Sequence, residues 1–172
     1  MLPIVEILGA WGQRWVRNRT KDDELDVSFL MHGVHDLLEL ERLPSDQCVV
    51  EFHFRDEPPL TQENWRMDRW WLVIAKGERE LCPHDPELDV DLLVECDLRS
   101  LTHLFMGDLS IAEASKSGAI EIHGDPKFIR TFDDWMPRSH FRQVPQQPNP
   151  IDIQDLIRRS PAKMLLASLP TL

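Results

Sequence analysis

The stretch Asp89–Trp135, DVDLLVECDLRSLTHLFMGDLSIAEASKSGAIEIHGDPKFIRTFDDW, carries its own punctuation from end to end. Val90, Leu92, Val94 and Cys96 alternate with Asp91, Leu93 and Glu95, the period of a strand over Asp89–Asp97 with those four residues inward. Asp97 is placed to cap a helix bearing Leu98, Leu101, Leu104 and Phe105, which Gly107 closes. Ser110-Ile-Ala-Glu113 has the form of a capping box, in which the Ser oxygen takes one orphan amide and the Glu returns to the cap; Gly118 ends that short helix. Ala119–His123 reads as a strand broken by Gly124. Asp125-Pro126 is an N-cap and first-turn proline opening a helix with Phe128, Ile129, Phe132 and Trp135.

Upstream, Ser28–Glu41 reads as a helix with Phe29, Leu30, Val34, Leu37 and Leu38 on one side, ended by Pro44. Over Cys48–Arg55 the period becomes two: Val50, Phe52 and Phe54 alternate with Glu51, His53 and Arg55, which predicts a strand with one wet face. Asp68–Ala75 (DRWWLVIA) is apolar on both faces and is expected to be central in a sheet. Lys76-Gly77 makes a tight turn into a strand at Glu78–Cys82. Four or five strands, largely in meander order, with helices gathered late, predict an α+β fold: a largely antiparallel sheet with helices on one face.

The flanks differ from this body. From Pro3, residues Ile4, Leu8, Trp11 and Trp15 form a narrow helical stripe of the kind that pairs with another helix, so it reads either as a dimer contact or as a helix lying on its own domain. The domain organisation expected is 1–27 as helix and linker, 28–142 as the α+β domain, and 143–172 as a Pro-rich linker with an apolar tail.

Charge narrows the function classes. The chain of 172 residues carries a net −11, but residues 28–137 hold ten bases against 23 acids, −13, while 138–172 carry +3. Such a body repels phosphates, so direct nucleic-acid binding is not expected. No apolar run approaches the eighteen residues of a membrane span, and MLPIVEILGAWG lacks a basic n-region, so a cytoplasmic protein is expected. Cys48, Cys82 and Cys96 lack CxxC spacing and suit reduced thiols.

Residues 68–137 resemble the sterol carrier protein type 2 superfamily. The marks are a strand followed by Asp97 and its helix, the Gly107-Asp108 break, the Ser110–Ser117 helix, and the Gly118 and Gly124 pair flanking a strand. The resemblance is closest to a bacterial subset in which this domain follows an HxlR-type winged helix-turn-helix; Trp70-Trp71, DVDLLV and LGAWGQRWV fit that subset. Pro3–Val16 then resembles the closing, dimerising helix of the winged-helix half, whose DNA-recognition helix has no counterpart in this sequence.

The resemblance implies a five-stranded sheet, an apolar tunnel beneath its helices, and non-catalytic binding of a small apolar or lipid-like ligand by the sensory domain of a homodimeric regulator. Candidate lining residues are Phe52, Phe54, Trp71, Leu92, Val94, Leu101, Leu104, Phe105, Phe128 and Phe132, which could equally fill a core. A ligand-free interaction module forming mixed dimers with an intact regulator is the alternative. No cofactor or metal is expected: His32-x-x-His35 has helical spacing but no third ligand, and no GxSxG, GxxxxGK[ST] or GxGxxG occurs.

Overall fold

A computed structural model describes residues 25–57 and 67–143, all within one unit of the chain, Thr20–Gln143. Its elements are helix α1 (Val27–Leu37), strands β1 (Cys48–Phe54), β2 (Arg69–Ala75), β3 (Glu78–Cys82) and β4 (Leu92–Cys96), helices α2 (Leu98–Met106) and α3 (Ile111–Ser117), strand β5 (Ile120–Gly124) and helix α4 (Pro126–Trp135). Among the described residues no helix is long and apolar enough to cross a membrane.

The local signals act where they were read. Asp97 accepts from the Ser100 amide at 2.7 Å, and both arms of the Ser110/Glu113 capping box form. Asp125 accepts from Lys127 with Pro126 in the first turn. The Lys76-Gly77 turn has φ of 56° and 78°, the left-handed pair that lets two twisted strands join directly. Helix α1 is shorter than its apolar pattern: Asp26 caps it, it stops at Leu37, and a single 3-10 turn follows at Leu40–Arg42. Its end is fixed from outside, because Arg79 of β3 donates to the carbonyls of Asp36 and Leu38.

The sheet is mixed, in the order β3-β2-β1-β4-β5, and not a meander. β1 is the middle strand, antiparallel to β2 but parallel to β4. β3, bearing Glu78, Arg79 and Glu80, is suited to an edge, and the more apolar β4 takes the free side of β1. Two aspartates hold this parallel pair. Asp91 gives its amide to the Val49 carbonyl and accepts from the Val49 amide through Oδ2, both at 2.9 Å. Asp56, beyond the other end of β1, accepts from the Leu98 amide at 2.9 Å. The fourth strand itself begins at Leu92, so Val90 lies outside it and is 40% exposed, contrary to its alternation.

Register sorts the side chains into two faces. Cys48, Val50, Phe52 and Phe54 of β1 share a face with Trp70, Leu72 and Ile74 of β2, with Leu92, Val94 and Cys96 of β4, and with Ile120 of β5. These residues form one buried cluster with residues from all four helices. The fold is therefore α+β, a five-stranded sheet with its helices on one face.

Candidate functional site

The interior between sheet and helices brings together eight of the ten residues proposed to line a ligand site. Phe52, Phe54, Leu92, Val94, Leu101, Leu104, Phe128 and Phe132 all lie in the buried cluster, at most 1% exposed. Phe105 is only partly buried. Its ring lies against Gly33 of α1, where an added Cβ would stand 3.2 Å from Cζ. Trp71 does not belong to the set: its register partner is Glu51, whereas Trp70 pairs with Phe52, so Trp71 sits on the opposite face of the sheet and Trp70 takes the inner position. In a run apolar on both faces, period two leaves two choices of inner face. Local charge does not decide between them, because Arg69 shares a face with Trp71 while Asp68 shares one with Trp70. The proposed dimer residues Ile4, Leu8, Trp11 and Trp15 lie outside the described residues.

The interior is almost free of polar groups. Ser139 is the buried polar residue among the described residues. Two indoles enter the core. Trp135 donates its Nε1–H to the Phe128 carbonyl at 3.4 Å and meets Phe132 edge to face. Trp70, 3% exposed, has its Nε1 buried without a hydrogen-bond partner, and the His32 ring stands edge-on to it at 6.1 Å.

The opposite face carries a charge ladder. Arg69 pairs with Glu51, His53 Nδ1 stands 3.2 Å from Glu95, His123 Nε2 lies 3.6 Å from Glu95, and Arg55 donates to Glu121 at 2.9 Å. Such part-exposed pairs contribute little stability singly, about 0–1 kcal/mol. No group of three or more potential metal ligands occurs among the described residues. In the His32-x-x-His35 pair each ring is engaged separately: His32 Nδ1 lies 2.7 Å from the Ser28 carbonyl, and His35 Nδ1 lies 2.8 Å from Asp36.

A crevice of about 340 Å³ opens beside the C-terminal ends of α1 and α4. Its cations are largely committed to structure. Arg42 pairs with Glu39 at 2.7 Å, and Arg138 pairs with Asp133 while donating to the Met136 carbonyl at the end of α4. The crevice offers mixed charge and no apolar pocket for a chain.

None of the three thiols is activated by its surroundings, and Cys48 and Cys96 are buried. Burial, then the Asp91 carboxylate, pushes the Cys48 thiol up to about 12; burial, then Asp97 and Asp56, raises Cys96 further. Cys82 is raised less, by its smaller burial and by Glu80. In the native protein, iodoacetamide at mildly alkaline pH is therefore expected to label Cys82, while Cys48 and Cys96 react only after urea is added. Peptide mapping would check this, and alkylation of Cys96 in the folded protein as fast as in urea would contradict its burial.

No protein-family model matches the chain, and no curated protein matches it by sequence. Solved structures do match. The sec-alkylsulfatase Pisa1 from Pseudomonas sp. is 15% identical, with a TM-score of 0.51 over 69% of this chain and 17% of that enzyme. The chain thus spans about a sixth of the enzyme's length, and the likeness is one of fold. The palmitated sterol carrier protein SCP2L2 of Aedes aegypti is 13% identical, covering 67% of this chain and 100% of that one, with a TM-score of 0.49. Sterol carrier protein domain 2 of Helicoverpa armigera is 16% identical, covering 77% and 98%, with a TM-score of 0.47.

Proposed function

We propose that this chain is a non-enzymatic, cytoplasmic binding domain for a small apolar or lipid-like ligand, held between the helix layer and the inner face of the sheet. The observation that carries the reading is the interior itself. Aromatic and aliphatic side chains from one sheet face and four helices enclose it, and among the described residues the buried cluster is made of hydrophobic residues. The chemistry available there is apolar contact. A sequence resemblance to the sensory domains of HxlR-type regulators extends the reading: ligand binding would report to a dimer built through the Trp11/Trp15 helix, with DNA contact supplied by a partner domain and not by this acidic body.

The second reading, a ligand-free interaction module in mixed dimers, draws on the near-complete burial of the eight lining residues, since a filled core needs no ligand. Native mass spectrometry of the purified protein, followed by solvent extraction, separates the two. A dimer mass carrying a removable apolar adduct is the expected result. A clean dimer that takes up no added fatty acid would overturn the ligand reading and favour the interaction module.

A further inference from the structure

We infer that the Trp70 indole N–H is the polar anchor of this interior: it donates to an acceptor oxygen at the head of a chain-like ligand whose apolar tail lies along Phe52 and Phe54. The inference rests on the apolar-ligand reading and specifies the ligand as an apolar chain with a hydrogen-bonding head.

The donor is deeply buried and unsatisfied. Trp70 is 3% exposed, and its Nε1 has no partner. Folded proteins pair nearly all such groups, and an orphan calls for a specific explanation. Trp135 shows the ordinary solution within the same cluster, an indole N–H closed onto a backbone carbonyl. A donor kept open in an otherwise apolar interior is suited to an acceptor that arrives from outside.

Its placement also fits a head-group position. Trp70 is the second residue of β2, opposite Phe52 in register, so it stands at the end of the inner face where Asp68 gives its carbonyl to the Phe54 amide. Partly buried Met67, three residues before it, packs on the core, and the exposed His32 of α1 meets the indole ring edge-on. The donor therefore lies near the rim of the core, with Phe52 and Phe54 continuing the same face. Across the helix layer, partly buried Phe105 against Gly33 is a side-chain contact between α1 and α2.

The test compares probes that differ only in the head. The chain has six tryptophans, so Trp70→Phe assigns the Trp70 indole signal in a ¹⁵N correlation spectrum by its disappearance. Palmitate and 1-hexadecanol are expected to move that signal downfield in the wild-type chain, whereas hexadecane, which has no acceptor, leaves it in place. Trp70→Phe is expected to weaken both acceptor-headed probes roughly fivefold, the loss of one net hydrogen bond, and to leave hexadecane unchanged. If the headed probes bind while the indole signal stays fixed and the variant binds them equally, the anchor is overturned and the apolar-ligand reading stands. If none of the three binds, both fall. Should the variant not fold, the wild-type indole shift decides alone, because it needs no substitution beyond assignment by standard backbone methods.

Discussion

Replacing Gly124 with alanine is expected to lower the unfolding free energy by at least about 3 kcal/mol, because it combines an unfavourable backbone conformation with a clash against main chain. Gly124 closes β5 with φ of 133°, a region that L side chains rarely enter. A Cβ built there would stand 2.2 Å from the Asp91 carbonyl oxygen and about 3 Å from the Leu92 Cα, and neither can swing aside as a side-chain tip would. The obstacle is itself fixed in the sheet. The same Asp91 carbonyl accepts from the Asp125 amide at 2.9 Å, while the Asp91 side chain and amide hold Val49 of β1. Relieving the clash would therefore strain three strands together. Urea unfolding followed by tryptophan fluorescence measures the effect, read as a lower midpoint at unchanged slope. A midpoint equal to that of the wild type would mean that β4 and β5 do not approach so closely at this point. Gly118→Ala is a useful comparison, since its φ is 74° but no atom lies within 4 Å of the added Cβ, so it carries the backbone cost without the clash.

The second large effect is expected at the middle of the sheet. Phe52 lies on the central strand with no exposed surface, between Trp70 on one side and Val94 on the other. Truncating it to alanine removes a fully buried ring and leaves a cavity, so Phe52→Ala is expected to cost about 3–5 kcal/mol. Against the 5–15 kcal/mol that typical domains possess, such a loss can leave much of the chain unfolded at ambient temperature. Phe29→Ala is the matched control. Phe29 belongs to the apolar side read along Ser28–Glu41 but is 82% exposed on α1, and its truncation is expected to change stability by no more than about 0.5 kcal/mol. Equal losses at the two positions would be incompatible with the interior described above.

The sequence by itself determined the elements and their ends wherever the deciding interaction is local. An N-cap reaches amides two or three residues ahead, so Asp97, Ser110 with Glu113, and Asp125 with Pro126 act within one helical turn. The alternation along β1 likewise selected Val50, Phe52 and Phe54 correctly, because charges on the other face leave one apolar choice. Eight of the ten interior residues were legible on that basis. What the tertiary structure decided depends on partners distant in the chain. Strand order is one such property: β4 carries no local mark saying that it will lie parallel to β1 instead of beside β3, and that choice follows from matching apolar surface across the whole sheet and from Asp91 and Asp56 reaching to other segments. The end of α1 is another, since Arg79 takes its carbonyls from more than forty residues away. The inner tryptophan is the third. Asp68–Ala75 is apolar on both sides, so its own pattern permits either face, and only pairing with β1 set Trp70 against Phe52 and turned Trp71 outward. That same pairing buried an indole N–H without an acceptor, the feature from which the interior's chemistry can be tested.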